Sequence, residues 1–285
     1  MSVATGSLKG RTILMSGGSR GIGLEIALRA ARDGANVVLL AKTDQPDPRL
    51  PGTVHTAVAE IEAAGGRAVA VVGDVRKEES VTAAVDRAVT EFGGIDIVVN
   101  NASAIDLSPI GKVSPKRYDL MLDINARGTF LLTSAALPHL YESENPHVLT
   151  LSPPLNLDPG WFAAHAPYTV SKYAMTMLTV GLAGQRHPRP VAANCLWPRT
   201  TIATAAVQNI VGGDAAMAIS RRPEIMADAA HALLVRPAAE VTGQCFIDED
   251  VLRAVGVTDF APYRYGTARE ADLKIDLFLP GGQHG

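Results

Sequence analysis

Apolar residues fall along this chain in short unbroken runs, set apart by longer amphipathic stretches. The runs are Arg11–Met15, Asn36–Ala41, Arg67–Val72, Ile95–Val99, His147–Leu151, Val191–Trp197 and Gln244–Asp248, and most are rich in Val, Ile and Leu. Continuous rather than alternating apolarity is the mark of strands buried on both faces. Between them, Leu24–Asp33, His55–Ala64, Glu79–Phe92, Tyr118–Leu140, Tyr168–Gln185 and Pro223–Val235 read as helices. Strand and helix in alternation predict an α/β fold, a doubly wound parallel sheet of Rossmann type with helices on both faces.

Four stretches carry neither pattern: Thr43–Pro51, Ser152–Pro167, Thr200–Arg222 and the tail after Val251. Ligands of such sheets bind beyond the C-terminal strand ends, where the first two of these stretches emerge. With no internal repeat and no linker, residues 1–285 read as a single domain, of which 251–285 form a C-terminal extension.

Composition narrows the function. The 26 basic and 29 acidic residues give a net charge of −3, which offers nothing to a nucleic acid or an anionic membrane. No apolar run approaches the roughly 20 residues of a membrane-spanning helix. Met1–Lys9 lacks the basic flank and apolar core of a secretory signal. Cys195 and Cys245 each fall in a strand and read as reduced buried thiols. The seven histidines show no ligand-like spacing, so no metal site is expected. A cytoplasmic protein is the expectation.

Two features carry chemistry. Directly after the first strand stands Ser16-Gly17-Gly18-Ser19-Arg20-Gly21-Ile22-Gly23, opening a helix. Strand, glycine turn and helix together let backbone N–H groups approach a pyrophosphate at a helix N-terminus. The spacing is G-x-x-x-G-x-G, not the general dinucleotide G-x-G-x-x-G. Further on, Tyr168 and Lys172 are four apart on a helix and share a face. A fixed ammonium favours phenolate and lowers a tyrosine pKa from about 10, which suits a general acid/base for an alcohol or ketone.

In the order of these motifs the chain resembles the short-chain dehydrogenase/reductase family, from about Leu8 to Asp248. Ser16 to Gly23 matches its glycine motif, with Ser16 where Thr is usual. Gly73-Asp74-Val75 follows the third strand, where the family places an Asp against the adenine. Asn100-Asn101-Ala102-Ser103 matches Asn-Asn-Ala-Gly, with Ser103 replacing Gly. Asn125, Ser152, Tyr168 and Lys172 fall in the order of the catalytic tetrad. Ala41-Lys42-Thr43, Ser152–Leu157 and Trp197-Pro198-Arg199-Thr200 look like the hydroxysteroid-dehydrogenase-like subgroup. Animal members of that subgroup carry an added sterol-carrier domain, for which this chain ends too soon.

The resemblance implies the following roles. Tyr168 exchanges the proton of the reacting oxygen. Lys172 depresses the Tyr168 pKa and bonds the nicotinamide ribose. Ser152 holds the substrate oxygen, and Asn125 anchors a water relaying protons to Lys172. The cofactor is held by Ser16, Gly17, Ser19, Arg20, Gly21, Ile22, Gly23, Lys42, Asp74, Val75, Asn101, Ala102, Ser103, Tyr168, Lys172, Pro198, Thr200 and Thr201. A homotetramer or homodimer follows, with Tyr118–Leu140 and Tyr168–Gln185 as interface.

Charge decides between the two nicotinamide cofactors. The second strand ends Leu39-Leu40-Ala41-Lys42-Thr43, with no acid before Asp44, so nothing there binds a ribose 2′-OH or repels a 2′-phosphate. Lys42 and Arg20 can both face that phosphate, and NADP(H) is expected over NAD(H). The expected activity is interconversion of an alcohol with a ketone or aldehyde, the alternative a redox-sensing or scaffold protein on the same fold. Trp161 and Phe162 in the Ser152–Pro167 stretch either pack in the core or border an apolar substrate, acyl, terpenoid or sterol-like. Two departures stand out: Pro198-Arg199 replaces Pro-Gly, and Asp248-Glu249-Asp250 replaces Asp-Gly-Gly. Arg199 is open to three readings, meeting an acidic substrate, meeting the cofactor diphosphate, or pointing outward.

Overall fold

The computed structural model describes residues 6–47, 50 and 52–282. Its strands are β1 Thr12–Ser16, β2 Asn36–Ala41, β3 Arg67–Val72, β4 Ile97–Asn100, β5 His147–Thr150, β6 Ala192–Trp197 and β7 Cys245–Ile247. They form one sheet in the order β3-β2-β1-β4-β5-β6-β7, parallel at every pairing. The order reverses between β1 and β4, and that reversal opens the crevice in which ligands of such sheets bind.

Side chains of a strand point alternately to its two faces, and the core divides accordingly. Ile13, Met15, Val37 and Leu39 pack on one face with helices α1 Gly21–Ala31, α2 Val54–Ala63, α8 Glu224–Leu234 and α9 Asp248–Ala254. Leu14, Val38, Leu40, Val98 and Val148 pack on the other with α3 Glu78–Phe92, α5 Gly128–Leu140 and α6 Pro159–Ala183. Two short helices, α4 Pro115–Met121 and α7 Gly213–Ala218, lie among the loops at the strand ends.

Some stretches differ from the sequence pattern, each for a local reason. The irregular reading of Ser152–Pro167 is corrected over its second half, because α6 begins at Pro159. Asp158 caps it by accepting from the Gly160 amide at 2.8 Å, and proline is well suited to a first helical position. Pro167 hides this turn in the sequence by breaking the pattern. It lacks an N–H and crowds the preceding turn, so the helix kinks at His165, whose φ and ψ are −154° and 50°. Thr169 Oγ1 then donates toward the Trp161 and His165 carbonyls, at 3.2 and 3.1 Å.

The stretch Thr200–Arg222, read as irregular, holds a π-helical turn at Val207–Gly212 and α7. A second π-helical turn, Leu122–Arg127, joins α4 to α5 inside the expected Tyr118–Leu140 helix. Strand β7 stops at Ile247, and Asp248-Glu249-Asp250 forms the first turn of α9, where acidic side chains meet the positive helix end. Of the loop Thr43–Pro51, residues Pro48, Arg49 and Pro51 lie outside the described residues.

The tail is bound back onto the body by a buried cation. Arg221 pairs with Glu249 at 2.8 Å and Glu270 at 2.6 Å, and donates to the Phe260 carbonyl. Among the described residues no helix is long and apolar enough to cross a membrane, and no group of three or more His, Cys, Asp or Glu could hold a metal ion. Cys195 is buried and Cys245 half-buried, and both are free thiols.

Candidate active site

A cavity of about 1040 Å³ opens at the C-terminal ends of the strands. One end is floored by the turn after β1, where Gly17 and Gly21 take φ of +78° and +59°, angles that side chains bearing a Cβ seldom adopt. A Cβ on Gly17 would also come within 2.6 Å of Asn101 Nδ2. The turn delivers the N-terminus of α1, which has no side-chain cap, to the cavity. Amides and helix dipole together make that end a seat for an anion. Gly17, Ser19, Arg20, Gly21 and Ile22 line the cavity. Ser16 and Gly23 stand behind it: Ser16 Oγ accepts from the Asn101 and Ala102 amides, both at 3.2 Å, and Gly23 packs on Asn101.

Beside this turn, Lys42, Asp74 and Val75 form the next part of the wall. Lys42 Nζ lies 3.2 Å from Asp74 Oδ2 while its side chain stays largely exposed. Burial works against the Asp74 charge, but the Arg76 side chain and amide and the Lys42 ammonium outweigh it and hold the carboxyl well below its usual range. Arg20 donates to the Gly52 carbonyl at 2.7 Å. No carboxylate stands at the end of β2 itself, since Asp44 is engaged with His55 at 2.6 Å.

Asn101, Ala102 and Ser103 continue the wall toward the middle. Asn125 braces that segment from the π-helical turn, a distortion often found at functional sites. Its Oδ1 accepts from the Ala104 amide at 2.8 Å, and its Nδ2 donates to the Ala104 carbonyl at 3.0 Å and Ser171 Oγ at 2.9 Å. Both amide hydrogens are thus spent on protein partners. The Asn125 side chain holds the loop and the helix together.

Tyr168 and Lys172, on the straight part of α6, face the far end of the cavity. Lys172 Nζ donates to the Leu151 carbonyl at 2.5 Å and lies 5.2 Å from the centre of the Trp197 ring. Burial pushes the Lys172 ammonium down to about 7 and, helped by the Asp276 charge, pushes the Tyr168 phenol up. Among the protein's own groups, then, burial and the Asp276 charge raise the phenol, and the expected lowering by Lys172 is not among the causes. Ser152 Oγ is fully buried and without a hydrogen-bond partner among the described residues. The Cys195 thiol is close enough to act on it, but not in hydrogen-bonding alignment. A buried hydroxyl in this condition is unusual in a folded protein; it stands behind the cavity wall, which Leu151 lines at this point.

Pro198 and Thr201 line the cavity, whereas Thr200 is buried behind them. Arg199 points away from the cavity, pairing with Asp250 at 3.0 Å and approaching Glu249 at 3.7 Å. Its amide donates to the buried Asp248 carboxylate. The two departures from the family pattern therefore answer each other across β6 and α9. For Trp161 the core-packing reading holds. It is 1% exposed, packed against Phe278 and off the cavity wall, and Phe162 packs edge-on to Tyr173. From this segment it is Ala164 and His165 that reach the cavity.

Sequence reasoning missed the tail. Lys274, Ile275, Asp276 and Leu277 line the cavity beside Tyr168 and Lys172. The strand is held by Thr201 N to Lys274 O at 2.9 Å, Asp276 N to Arg199 O at 3.0 Å and Trp197 Nε1 to Leu277 O at 3.0 Å. No periodicity or motif in the tail announces this, because every partner is distant in sequence.

A turn suited to pyrophosphate and a tyrosine–lysine pair on the wall of one cavity fit a dinucleotide-dependent oxidoreductase, and comparison with known proteins agrees. The family model for short chain dehydrogenase matches residues 11–214, and the chain belongs to the short-chain dehydrogenase family. Within it the chain falls in the hydroxysteroid dehydrogenase-like subgroup. It is 51% identical to hydroxysteroid dehydrogenase-like protein 2 of Danio rerio over 97% of this chain and 66% of that one. With the Homo sapiens protein of the same name it shares 48% over 96% and 65%. The chain thus spans about two thirds of the length of these relatives. A putative dehydrogenase from Xanthomonas campestris superposes with a TM-score of 0.92 at 52% identity, covering 96% of this chain and 99% of the other. A short chain dehydrogenase from Mycobacterium thermoresistibile gives 0.90 and 51%, covering 97% and 98%. The family implies a nicotinamide cofactor, and the uncapped α1 terminus together with Tyr168 and Lys172 on the wall of the same cavity fit a dinucleotide.

Proposed function

We propose that this chain is an NADP(H)-dependent oxidoreductase that interconverts an alcohol and a ketone or aldehyde, with Tyr168 as general acid/base. The observation that carries the reading is that Tyr168 and Lys172 line the same long cavity as the glycine turn after β1. A bound nicotinamide supplies the hydride acceptor or donor. Ser152 donates to the substrate oxygen and steadies the charge that develops there. Tyr168 gives its proton to that oxygen in reduction and takes it back in oxidation. Lys172, fixed between the Leu151 carbonyl and the Trp197 ring, keeps a cation beside the phenol as phenolate character grows. The cost of charging a buried phenol means that Tyr168 acts as phenolate only with Lys172 protonated.

The preference for NADP(H) rests on Lys42 and Arg20 on the cavity wall and on the lack of a carboxylate at the end of β2. The apolar side chains Ile105, Leu107, Ile202 and Met217 around the substrate end suit an apolar acyl, terpenoid or sterol-like compound. Exposed Phe130 on α5 and Val170 and Met177 on α6 support self-association into a homodimer or homotetramer through those helices, which light scattering distinguishes. The reading as a whole is tested by following NADPH and NADH consumption with alkyl, terpenoid, aromatic and steroidal carbonyls. Turnover with NADPH is expected. Tight NADPH binding without turnover in either direction across the panel contradicts it.

A further inference from the structure

Around the substrate end of the cavity the wall is mostly aliphatic, with one carboxyl group among the described residues there. Asp276 comes from the tail, and its backbone is fixed by Asp276 N to Arg199 O at 3.0 Å and by an antiparallel bridge between Thr200 and Ile275. Among the described residues the carboxylate accepts a single hydrogen bond, from the Leu277 amide to Oδ1 at 2.7 Å. Its second oxygen is left to the cavity. Two residues on, Phe278 holds φ at +69°, an angle costly for a bulky side chain and of a kind found where function requires it.

We propose that Asp276 is a specificity-determining residue and that the substrate is an apolar alcohol or carbonyl compound bearing a second hydrogen-bond donor, a further hydroxyl or an ammonium. The inference deepens the oxidoreductase reading above and rests on it for the position of the reacting oxygen. A carboxylate half withdrawn from water regains in a ligand donor the hydrogen bond it lost. A ligand without that donor leaves the oxygen buried and unpaired, the arrangement by which polar sites reject apolar analogues. The groups facing Asp276 across the cavity are Tyr168, Lys172, His165 and its own neighbour Lys274. Burial raises the Asp276 carboxyl to about 6, against the pull of Leu277, Lys274 and Lys172, so near neutral pH it is the acceptor that the proposal requires.

The test uses paired alcohols of one carbon skeleton, a diol and its mono-ol, titrated by calorimetry into protein saturated with NADPH, where neither can react. We expect the diol to bind at least about 10-fold more tightly, with the advantage shrinking in Asp276→Asn and vanishing in Asp276→Leu while circular dichroism and NADPH affinity stay unchanged. Equal binding by the wild type, or a diol advantage that survives Asp276→Leu, overturns the proposal. Because binding is read without turnover, an absence of catalysis would count against the oxidoreductase reading and leave this result standing.

Discussion

The ring of Phe278 lies 6.3 Å from that of Tyr168 and inclined to it by 27°. The same ring also meets Trp161, Tyr173 and Trp197, at 5.4, 5.3 and 6.0 Å. A residue near the end of the tail is thus packed at the centre of the aromatic cluster that backs Tyr168. Among the described residues it is the one non-glycine with positive φ.

Phe278→Ala and Trp161→Ala should each cost about 3–5 kcal/mol of stability, as expected for emptying a buried aromatic site. The two should differ in what remains. Trp161→Ala, away from the cavity wall, should affect small and large carbonyls alike. Phe278→Ala, which releases the strand bearing Asp276, should raise KM as well. Denaturant midpoints together with KM values over a size series check this, and a Trp161→Ala defect confined to large substrates contradicts the packing described.

His147, on β5, is buried and donates through Nε2 to the Arg236 carbonyl at 3.0 Å. Burial, more than any neighbouring charge, lowers its pKa from 6.5 to about 4. Since the folded value lies below the unfolded one, the stabilisation is whole above pH 6.5 and is lost as pH falls toward about 4. The shift is worth about 3 kcal/mol. His147→Gln should therefore flatten the fall of unfolding free energy across that window relative to wild type. Parallel acid profiles for the two proteins would show that His147 carries none of it.

Lys42 meets Asp74 yet stays largely exposed, so its ammonium can turn to a 2′-phosphate at little cost. Lys42→Ala should raise the Kd for NADPH by about 10-fold, the scale of one charge-assisted contact, and change NADH binding little. Fluorescence titration with both cofactors decides it. A loss equal for both means that Lys42 serves the fold and not the phosphate.

Much of this architecture was legible in the sequence, because buried strands such as Val37–Leu40 must be apolar on both faces and the glycine turn after β1 admits few alternatives. Asn125, Ser152, Tyr168 and Lys172 could be picked out by their order, although not their partners. That Asn125 spends its amide on Ala104 and Ser171 depends on a π-helical turn that no periodicity reveals. The start of α6 was masked by Pro167, whose kink is stitched by Thr169. The tail could not be read at all: Asp276 and Phe278 owe their positions to Arg199, Trp197 and Asn156, contacts without a local signature. Arg199 likewise made sense only once Asp250 was seen opposite.

The central claim is that Tyr168 moves the proton. Its most direct test is single-turnover reduction of an accepted carbonyl by NADPH-loaded protein, with Tyr168→Phe beside the wild type and NADPH affinity measured for both. The account predicts unchanged affinity and a hydride-transfer rate lower by at least about 100-fold, the share general acid catalysis contributes. A Tyr168→Phe protein that binds NADPH and reduces the carbonyl at the wild-type rate would contradict it.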